Sequence, residues 1–322
     1  MRACYYDDIG AAQAVLHIAD MPTPACGAGE VRVKLATSGV NPSDVKTRGG
    51  RKSVFPRIIP HSDGAGVIDQ VGDGVDKKRI GERVWIWNGQ WKRPFGTAAD
   101  YIALPAAQAV PLPDAVTFAE GACLGIPAMT AFHAVERAMT SGKTLLISGG
   151  AGAVSQYAIQ FAKMRGATVL TTISSPEKAK VAREAGADHA IDYKTEDVGE
   201  RVMALTDKRG VDAVIELNIT ANAKLLPAVL RAKGSVIVYG IGGPEAALPA
   251  QFCLSNSITV QFFLVYELDG AERASAVAGI TAALKGGHLV NRVDARTFSL
   301  GDTAAAHEAV EQGAIGNVVV TI

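Results

Sequence analysis

The chain of 322 residues is 48% hydrophobic and 20% charged, which is typical of a globular protein of about two domains. Its 32 lysines and arginines equal its 32 aspartates and glutamates, so no general electrostatic attraction to nucleic acid or anionic membrane is expected. The N-terminal residues lack the apolar core of a signal peptide, and no uncharged apolar run approaches the ~18 residues that span a bilayer. These features predict a cytoplasmic protein with neither a nucleic-acid nor a membrane partner.

The four cysteines lie far apart and without paired spacing, at Cys4, Cys26, Cys123 and Cys253. This spacing predicts neither disulfides nor a structural zinc lobe. We expect free, buried thiols.

Alternating apolar and polar runs predict a strand-rich, barrel-like region at the start of the chain. The runs lie at 30–40, 64–72 and 82–89 and are separated by Gly, Pro and Asp. Helical spacing follows at 114–138.

From Thr144 onward, predicted strands and helices alternate. The strands are 144–148, 167–173, 189–193, 211–217 and 235–240, and the helices are 153–166, 175–186, 197–210 and 221–234. Such alternation predicts a parallel sheet covered on both faces. Residues 257–265 predict one more strand, which would need a partner chain if it lay at an exposed edge. Two helices and a closing strand follow, so we expect the C-terminus to return to the first domain.

A glycine-rich turn at 149–155 follows the strand at 144–148 and begins the next helix. Gly150, Gly152 and Ser155 occupy a G-x-G-x-x-G frame. The first position allows a tight turn, the second allows a pyrophosphate to approach, and the third sets how closely helix and strand pack. A serine at the third position leaves the phosphate-binding surface intact. We therefore expect the N–H groups and the dipole of the helix start to bind a dinucleotide pyrophosphate.

The end of the second strand of this domain, at 170–178, indicates which dinucleotide is bound. NAD-specific sites place an acidic residue there, whereas this chain has serine and threonine, and Glu177 is read as a first-turn helix residue. Lys178 lies within reach of a 2′-phosphate, and Ser174 or Ser175 would donate hydrogen bonds to it. The pattern favours NADPH over NADH, and the alternative for Lys178 is a solvated helix lysine.

Seven motifs along nearly the whole chain resemble the zinc-independent quinone oxidoreductase and zeta-crystallin-like branch of the medium-chain dehydrogenase/reductase superfamily. They are SGVNPSDVKTRGG, HSDGAGVIDQVGDGV, GERVW, GIPAMTAFHAV, GGAGAVSQYAIQFAKMRGATV, KGSVIVYG and AAAHEAVEQGAIGNVVVTI. The resemblance implies an α/β fold with a barrel-like (GroES-like), β-rich catalytic domain and a Rossmann domain with a doubly wound parallel sheet. We place the first over residues 1–120 and 266–322 and the second over 121–265. It also implies a cleft between the domains, a homodimer, and NADPH-dependent reduction of quinones or conjugated enones.

The resemblance also implies which residues form the site. Asn41 and Asp44 would line the nicotinamide and substrate pocket and are the candidate catalytic residues. The candidate cofactor-binding residues are Thr130 beside the nicotinamide, Gly150, Gly152, Ala153 and Val154 at the pyrophosphate, Ser174, Ser175, Lys178 and Tyr193 at the 2′-phosphate, and Gly240, Ile241, Phe263 and Leu264 around the nicotinamide.

Zinc-dependent relatives carry Cys, His and Cys at positions that are Asn41 or Pro42, Ser62 and Ile126 in this chain. His61 is one residue out of frame, and a catalytic zinc normally takes three protein ligands. No metal is therefore expected, and His61 is interpreted as a loop histidine with a backbone hydrogen bond.

The chain departs from the family pattern between Asp44 and Lys52, where relatives often have tyrosines. Here the segment carries Lys46, Arg48, Arg51 and Lys52. A basic loop would steer NADPH phosphates or an anionic substrate, and the alternative is a solvated loop.

The mechanism expected without a metal depends on positioning. Quinones and enones are already electrophilic, so a nicotinamide held close to the acceptor in a dry cleft can transfer hydride. Asn41, a backbone N–H or water are the candidate donors to the resulting oxyanion. The principal prediction is an NADPH:quinone oxidoreductase. The alternatives are an NADPH-dependent enone or alkenal double-bond reductase and, outside enzymes, an NADPH-binding protein with little turnover; zero net charge disfavours a nucleic-acid role.

Overall fold

The structure is a computed structural model that describes residues 1–50, 54–139 and 141–322. In this part of the chain the strands are β1 Arg2–Tyr5, β2 His17–Asp20, β3 Glu30–Val40, β4 Asp63–Val71, β5 Arg83–Ile86, β6 Tyr101–Pro105, β7 Ala109–Pro111, β8 Thr144–Ile147, β9 Thr168–Ile173, β10 His189–Asp192, β11 Val211–Glu216, β12 Leu230–Val238, β13 Thr259–Phe262, β14 Phe298–Ser299 and β15 Val318–Thr321. The helices are α1 Ala12–Val15, α2 Pro42–Gly50, α3 Phe118–Gly121, α4 Met129–Ala138, α5 Ala153–Met164, α6 Pro176–Glu184, α7 Val198–Leu205, α8 Ile219–Asn222, α9 Leu226–Val229, α10 Ala250–Ser255, α11 Gly270–Lys285 and α12 Thr303–Glu311.

These elements form two compact units. Unit 1 comprises Met1–Pro127 and Ile280–Ile322, and unit 2 comprises Ala128–Gly279. The borders drawn from the sequence, at 120/121 and 265/266, both lie N-terminal to those of the units. The sequence pattern marks where element types change, whereas the units follow where the chain changes its packing partners.

Unit 2 contains a parallel sheet in the order β10-β9-β8-β11-β12-β13, counted over the described residues. Its inner strands, such as β8 and β11, are almost entirely buried, as expected for a sheet covered on both faces, and β11 carries two buried carboxylates, Asp212 and Glu216, among its apolar residues. The strand order reverses between β8 and β11, and such a point opens a crevice at the carboxyl ends of the strands. The predicted doubly wound sheet is confirmed.

One predicted helix of unit 2, 221–234, is wrong in its second half. The helical part ends with the short α9, and residues from Leu230 onward are extended as β12. Pro227 lies in the first turn of α9, where its missing N–H is tolerated because the first N–H groups of a helix have no intrahelical acceptor. Leu230 then pairs with Val211 of β11, and this sheet pairing overrides the helical spacing of the apolar residues.

Unit 1 contains a predominantly antiparallel sheet of seven strands, counted over the described part of the chain, with the long strand β3 near its centre. β3 pairs with β4, β6 and β15, so the C-terminal strand completes the sheet that the first residues begin. Val31, Val33 and Ile68 are buried between these strands in one apolar cluster. The predicted strand-rich, barrel-like region is confirmed.

The segment 114–138 is divided into several helical pieces. Thr117 begins α3 with a capping box that uses Glu120. Residues Leu124–Ala128, which contain Pro127, form a single π-type turn before α4 starts. Proline removes the main-chain donor that a continuous helix would need at this point.

The basic stretch that was expected to be a loop is a helix as far as the structure describes it. Lys46 and Arg48 lie on α2, and only Lys46 is exposed. Arg48 is 2% exposed and donates hydrogen bonds to the carbonyl of Gly10 and to the carboxylate of Glu311. Arg48 therefore neither steers anions nor belongs to a solvated loop. Arg51 and Lys52 lie outside the described residues.

Among the described residues, no helix combines the length and the apolar character that a membrane crossing requires.

Candidate functional site

The turn between β8 and α5 has the geometry of a phosphate-binding loop. Gly149 adopts a φ of 66°, and a Cβ on Gly150 would overlap the Thr171 hydroxyl on the neighbouring strand β9. Gly152 is the N-cap of α5, where no side chain caps the helix. The N–H groups of the first turn of a helix have no intrahelical acceptor, so those of Ala153 and Val154 face the helix start.

Ser155, which replaces the third glycine of the frame, is buried within unit 2. Its hydroxyl donates to the Ser148 carbonyl at 2.8 Å and lies 3.2 Å from the Tyr239 hydroxyl. The side chain thereby joins α5 to the end of β8 and to the residue after β12. It stabilises the helix–strand packing instead of occupying the surface of the turn.

Glu216, at the end of β11, is a buried carboxylate that sequence reasoning missed. It accepts from the Ser148 hydroxyl at 2.6 Å, from the Asn218 N–H at 2.5 Å and from the Asn222 amide at 2.9 Å. These bonds hold the residue before the glycine turn to the loop after β11, across the reversal of strand order. An acidic residue directly after the apolar run 213–215 was the available signal.

The predicted 2′-phosphate residues come together at the carboxyl ends of β9 and β10. Ser175 caps α6 by accepting from the Lys178 N–H at 3.3 Å. The Tyr193 N–H donates to the Ile173 carbonyl at 3.2 Å, which places Tyr193 beside the Ser174–Ser175 pair. The Tyr193 ring is 54% exposed and Lys178 is partly exposed, so both side chains are accessible to a ligand.

The predicted nicotinamide residues of unit 2 follow the last two strands. Gly240 and Ile241 follow β12, Phe263 and Leu264 follow β13, and the Phe263 N–H donates to the Val238 carbonyl at 3.1 Å. The carboxyl ends of these strands lie at the same edge of the sheet as the glycine turn, since all its strands are parallel.

Side chains of α4 and α11 form a cluster that contacts Phe263, and the sequence analysis did not predict this cluster. The Phe263 ring contacts the His133 ring edge-on at 5.2 Å and lies 5.0 Å from the Arg137 guanidinium. Glu272 binds Arg137 at 2.9 Å and lies 3.2 Å from His133. Thr130, the predicted nicotinamide contact, is buried one turn before His133 on the same helix.

In unit 1, the two candidate catalytic residues belong to a buried acidic cluster that also contains Asp63. Asn41 donates its main-chain N–H to Asp44 Oδ2 at 2.8 Å and its side-chain Nδ2 to Asp63 Oδ2 at 2.7 Å. Asp63 also accepts the Ile126 N–H, at 2.8 Å on Oδ1 and 3.0 Å on Oδ2. Asp63 is missing from the sequence prediction, although it lies in the motif HSDGAG.

Burial controls the charge of this cluster. Removal from water raises the pKa of Asp44 to about 7, although hydrogen bonds from Asn41 oppose the shift. Burial also raises the pKa of Asp63 well above the ordinary aspartate range, and the charge of Asp44 adds to this effect. The cluster can therefore hold a proton near neutral pH.

His61 lies in a loop, as predicted, but its ring is buried and held by side chains, so the predicted backbone hydrogen bond is wrong. Its Nδ1 lies 2.8 Å from the Ser38 hydroxyl and its Nε2 lies 2.9 Å from Nε2 of His307. The two imidazole rings stack at 5.1 Å, and His61 has a φ of 76°. Burial lowers the pKa of both histidines, to about 3 for His307, so the pair is neutral.

Within residues 1–50, 54–139 and 141–322, no group of three or more His, Cys, Asp or Glu side chains is arranged to hold a metal ion.

Comparison with known proteins matches both units. Residues 27–114 match the family described as the alcohol dehydrogenase GroES-like domain, and residues 153–280 match the family described as zinc-binding dehydrogenase. The quinone oxidoreductase of Rattus norvegicus is 28% identical over 328 residues, covering 100% of this chain and 98% of the relative. The chain belongs to the zinc-independent quinone oxidoreductase branch of the medium-chain dehydrogenase/reductase superfamily.

Two solved structures show how fully this superfamily member shares the fold of its relatives. A mycobacterial protein complexed with NADPH has a TM-score of 0.90 at 28% identity. A protein described as an NAD-dependent alcohol dehydrogenase has a TM-score of 0.90 at 27% identity. Each comparison covers 100% of both chains. The predicted combination of a GroES-like domain and a Rossmann domain is confirmed, and membership of the superfamily makes the chain an oxidoreductase.

Proposed function

We propose that this oxidoreductase uses NADPH to reduce quinones and that it needs no metal. The glycine turn carries the proposal, because it offers uncapped N–H groups at the start of a 12-residue helix. The quinone oxidoreductase of the rat and the NADPH complex of the mycobacterial protein support the substrate class and the cofactor, respectively.

The residues of unit 2 fit the cofactor. Gly150 has no space for a side chain, and Ser155 uses its hydroxyl inside the unit, so neither residue obstructs a pyrophosphate at the helix start. Lys178 and Tyr193 are accessible beside the Ser174–Ser175 pair, where a 2′-phosphate would bind. The end of β9 carries no acidic side chain, and Lys178 lies on the helix that follows it. This arrangement favours NADPH, although one structural neighbour is described as NAD-dependent.

NADPH, when bound, supplies a hydride from its nicotinamide. The residues that follow β12 and β13 would hold that ring, with Phe263 fixed by His133 and Arg137. Asn41 would offer a hydrogen bond to the acceptor oxygen as it gains negative charge. Solvent then returns a proton to the product.

The donor set of unit 1 supports a reaction without zinc. Zinc-dependent relatives use Cys, His and Cys where this chain has Asn41 or Pro42, Ser62 and Ile126, and none of these is a zinc ligand. In the nearby His61, Nδ1 faces the Ser38 hydroxyl and Nε2 faces His307, so both ring nitrogens are already engaged. Quinones need no Lewis acid, because they are electrophilic without one.

The decisive experiment measures NADPH and NADH consumption with a panel of quinones and conjugated enones. We expect NADPH-dependent turnover of quinones. Turnover of enones alone would replace the proposal by a double-bond reductase, and tight NADPH binding without turnover of any acceptor would replace it by a cofactor-binding role.

Lys178→Ala tests the assignment of the 2′-phosphate site. We expect the Kd for NADPH to rise about tenfold and the Kd for NADH to change less than about twofold, because one partly exposed charge pair is lost. Isothermal titration calorimetry with both nucleotides measures the effect. Lys180→Ala is the matched control, since Lys180 lies on the same helix and faces Glu184. An equal loss for both nucleotides in Lys178→Ala would contradict the assignment.

We also propose a homodimer, as the family resemblance implies. β13 is the last strand of the parallel sheet in the described chain, and its Phe262 is exposed, so a second copy could pair there. Sedimentation velocity of the purified protein tests this point.

A further inference from the structure

The parallel sheet of unit 2 fixes the direction in which a dinucleotide would run across it. Lys178 and Tyr193 mark the adenosine half at the carboxyl ends of β9 and β10, on one side of the glycine turn after β8. The nicotinamide half would then extend to the other side, over the carboxyl ends of β11, β12 and β13. Residues 262–264, at the end of β13, lie three strand spacings from β8, about 14 Å. A group that holds these residues therefore acts on the nicotinamide half of the cofactor.

Phe263 is the anchored member of this segment. The neighbouring side chains of Phe262 and Leu264 are 55% and 48% exposed, whereas the Phe263 ring meets the His133 ring edge-on at 5.2 Å. The Arg137 guanidinium lies 5.0 Å from the centre of the Phe263 ring, within the range of a cation–π contact. The Phe263 N–H also donates to the Val238 carbonyl, so both its main chain and its ring are held.

The groups that hold the Phe263 ring lie on the same face of α4 as Thr130. Thr130, His133 and Arg137 are spaced by three and four residues, which places them on one side of the helix. Arg137 donates its Nε–H to His133 Nε2 at 2.6 Å, so this nitrogen is an acceptor and the imidazole carries its proton on Nδ1. Burial lowers the pKa of His133, and the charge of Arg137 adds to this effect, so the imidazole is neutral. The cation that faces Phe263 is therefore Arg137.

Glu272 ties the far end of the same connection to Arg137. Its Oε1 accepts from Arg137 Nη2 at 2.9 Å, and its Oε2 accepts the Asp269 N–H at 3.0 Å. Asp269 Oδ1 accepts the Glu272 N–H at 2.8 Å, which completes a capping box at the start of α11. The connection 263–269 is thus attached to one guanidinium at both of its ends. The Arg137 side chain is 19% exposed, so solvent screens these contacts only in part.

We propose that Arg137, with its counter-ion Glu272, is a positioning residue for the nicotinamide. It holds Phe263, and through Phe263 the exposed Leu264, at the edge of the sheet where the nicotinamide would lie. The inference rests on the NADPH-dependent reduction proposed above and adds to it a support outside the residues expected to touch the cofactor. Hydride transfer depends steeply on how the donor ring is placed, so loosening this support slows the reaction. The pyrophosphate and 2′-phosphate contacts lie elsewhere on the sheet and are unaffected.

Arg137→Met tests the proposal by removing the cation while keeping much of the side-chain volume. Its effect on NADPH is compared with its effect on 2′-phospho-ADP-ribose, which lacks the dihydronicotinamide ring. By titration calorimetry we expect the Kd for NADPH to rise about tenfold and the Kd for 2′-phospho-ADP-ribose to change less than about twofold. We expect kcat with a quinone to fall about tenfold and KM for the quinone to change less than about twofold. Arg137→Lys keeps a cation beside the ring and should restore the Kd for NADPH to within about threefold of the parent value.

Arg165→Met is the matched control. Arg165 lies 5.3 Å from the Phe132 ring and pairs with Glu136, which is the same kind of arrangement in the same unit, at the C-terminal end of α5. We expect this variant to leave both Kd values unchanged. If Arg137→Met does not fold, Phe263→Leu removes the ring, keeps an apolar side chain and must give the same difference between the two ligands.

Equal changes in the two Kd values of Arg137→Met, or no change in either, would overturn the proposal. A parent that binds NADPH and 2′-phospho-ADP-ribose equally well would also overturn it, while the cofactor assignment would stand. NADPH binding without turnover of any acceptor would refute the proposed reduction, and the two Kd values would still decide the role of Arg137. A parent that binds neither ligand would overturn both.

Discussion

Gly152→Asp is expected to raise the Kd for NADPH more than about 100-fold while leaving Tm equal to that of the parent or about 1 °C higher. Gly152 is the N-cap of α5 and has no side chain to cap it. Aspartate is a preferred N-cap residue, so its carboxylate would accept from the N–H groups of the first turn. The same N–H groups are those that a pyrophosphate needs, and a negative charge there also repels it.

This variant separates an effect on binding from an effect on folding, because we expect NADPH affinity to fall while Tm is unchanged or slightly higher. Calorimetric titration gives the Kd and differential scanning calorimetry gives Tm. Gly152→Asn is the matched control, which supplies a cap without a charge, and we expect it to weaken NADPH binding by about tenfold. Unchanged NADPH affinity in Gly152→Asp would place the cofactor elsewhere and would remove the basis of the redox assignment.

Glu311→Gln is expected to lower the free energy of unfolding by about 2 kcal/mol, because it leaves a buried cation without its counter-charge. Arg48 is 2% exposed, and its guanidinium reaches Glu311, which is 41% exposed, and the Gly10 carbonyl. Because solvent reaches Glu311, the expected loss in the free energy of unfolding is smaller than for a fully buried ion pair. The contact joins α2 to α12, so its loss affects both segments of unit 1.

Arg48→Met provides the comparison. Methionine removes the charge and keeps much of the volume, so we expect it to cost less than Glu311→Gln, about 1 kcal/mol. In the double variant, which combines Arg48→Met with Glu311→Gln, we expect the loss in the free energy of unfolding to be almost the same as in Arg48→Met alone. Urea unfolding of the four proteins measures these values. A larger cost for Arg48→Met than for Glu311→Gln would show that packing and the Gly10 contact dominate over the charge pair.

The errors of the sequence-based prediction have identifiable physical causes. The helix predicted at 221–234 ends early because Leu230 finds a sheet partner in Val211, and periodicity cannot register a partner nineteen positions earlier. Arg48 was read as part of a solvated loop because charge normally indicates exposure, whereas its counter-charge Glu311 is 263 residues away in sequence. Glu216 and Asp63 escaped notice because their roles depend on hydrogen bonds with distant segments.

The sequence alone determined the alternation of strands and helices in unit 2, the glycine turn and the absence of an acidic residue at the end of β9. These features are local: each depends on the conformation of a few consecutive residues or on a repeating apolar pattern. The tertiary structure alone decided that Asn41 shares its hydrogen bonds with two buried carboxyl groups, and that His61 faces His307 instead of a main-chain group. Burial and long-range pairing set the pKa of Asp44 and Asp63, and both properties come into existence only when segments far apart in the chain pack together.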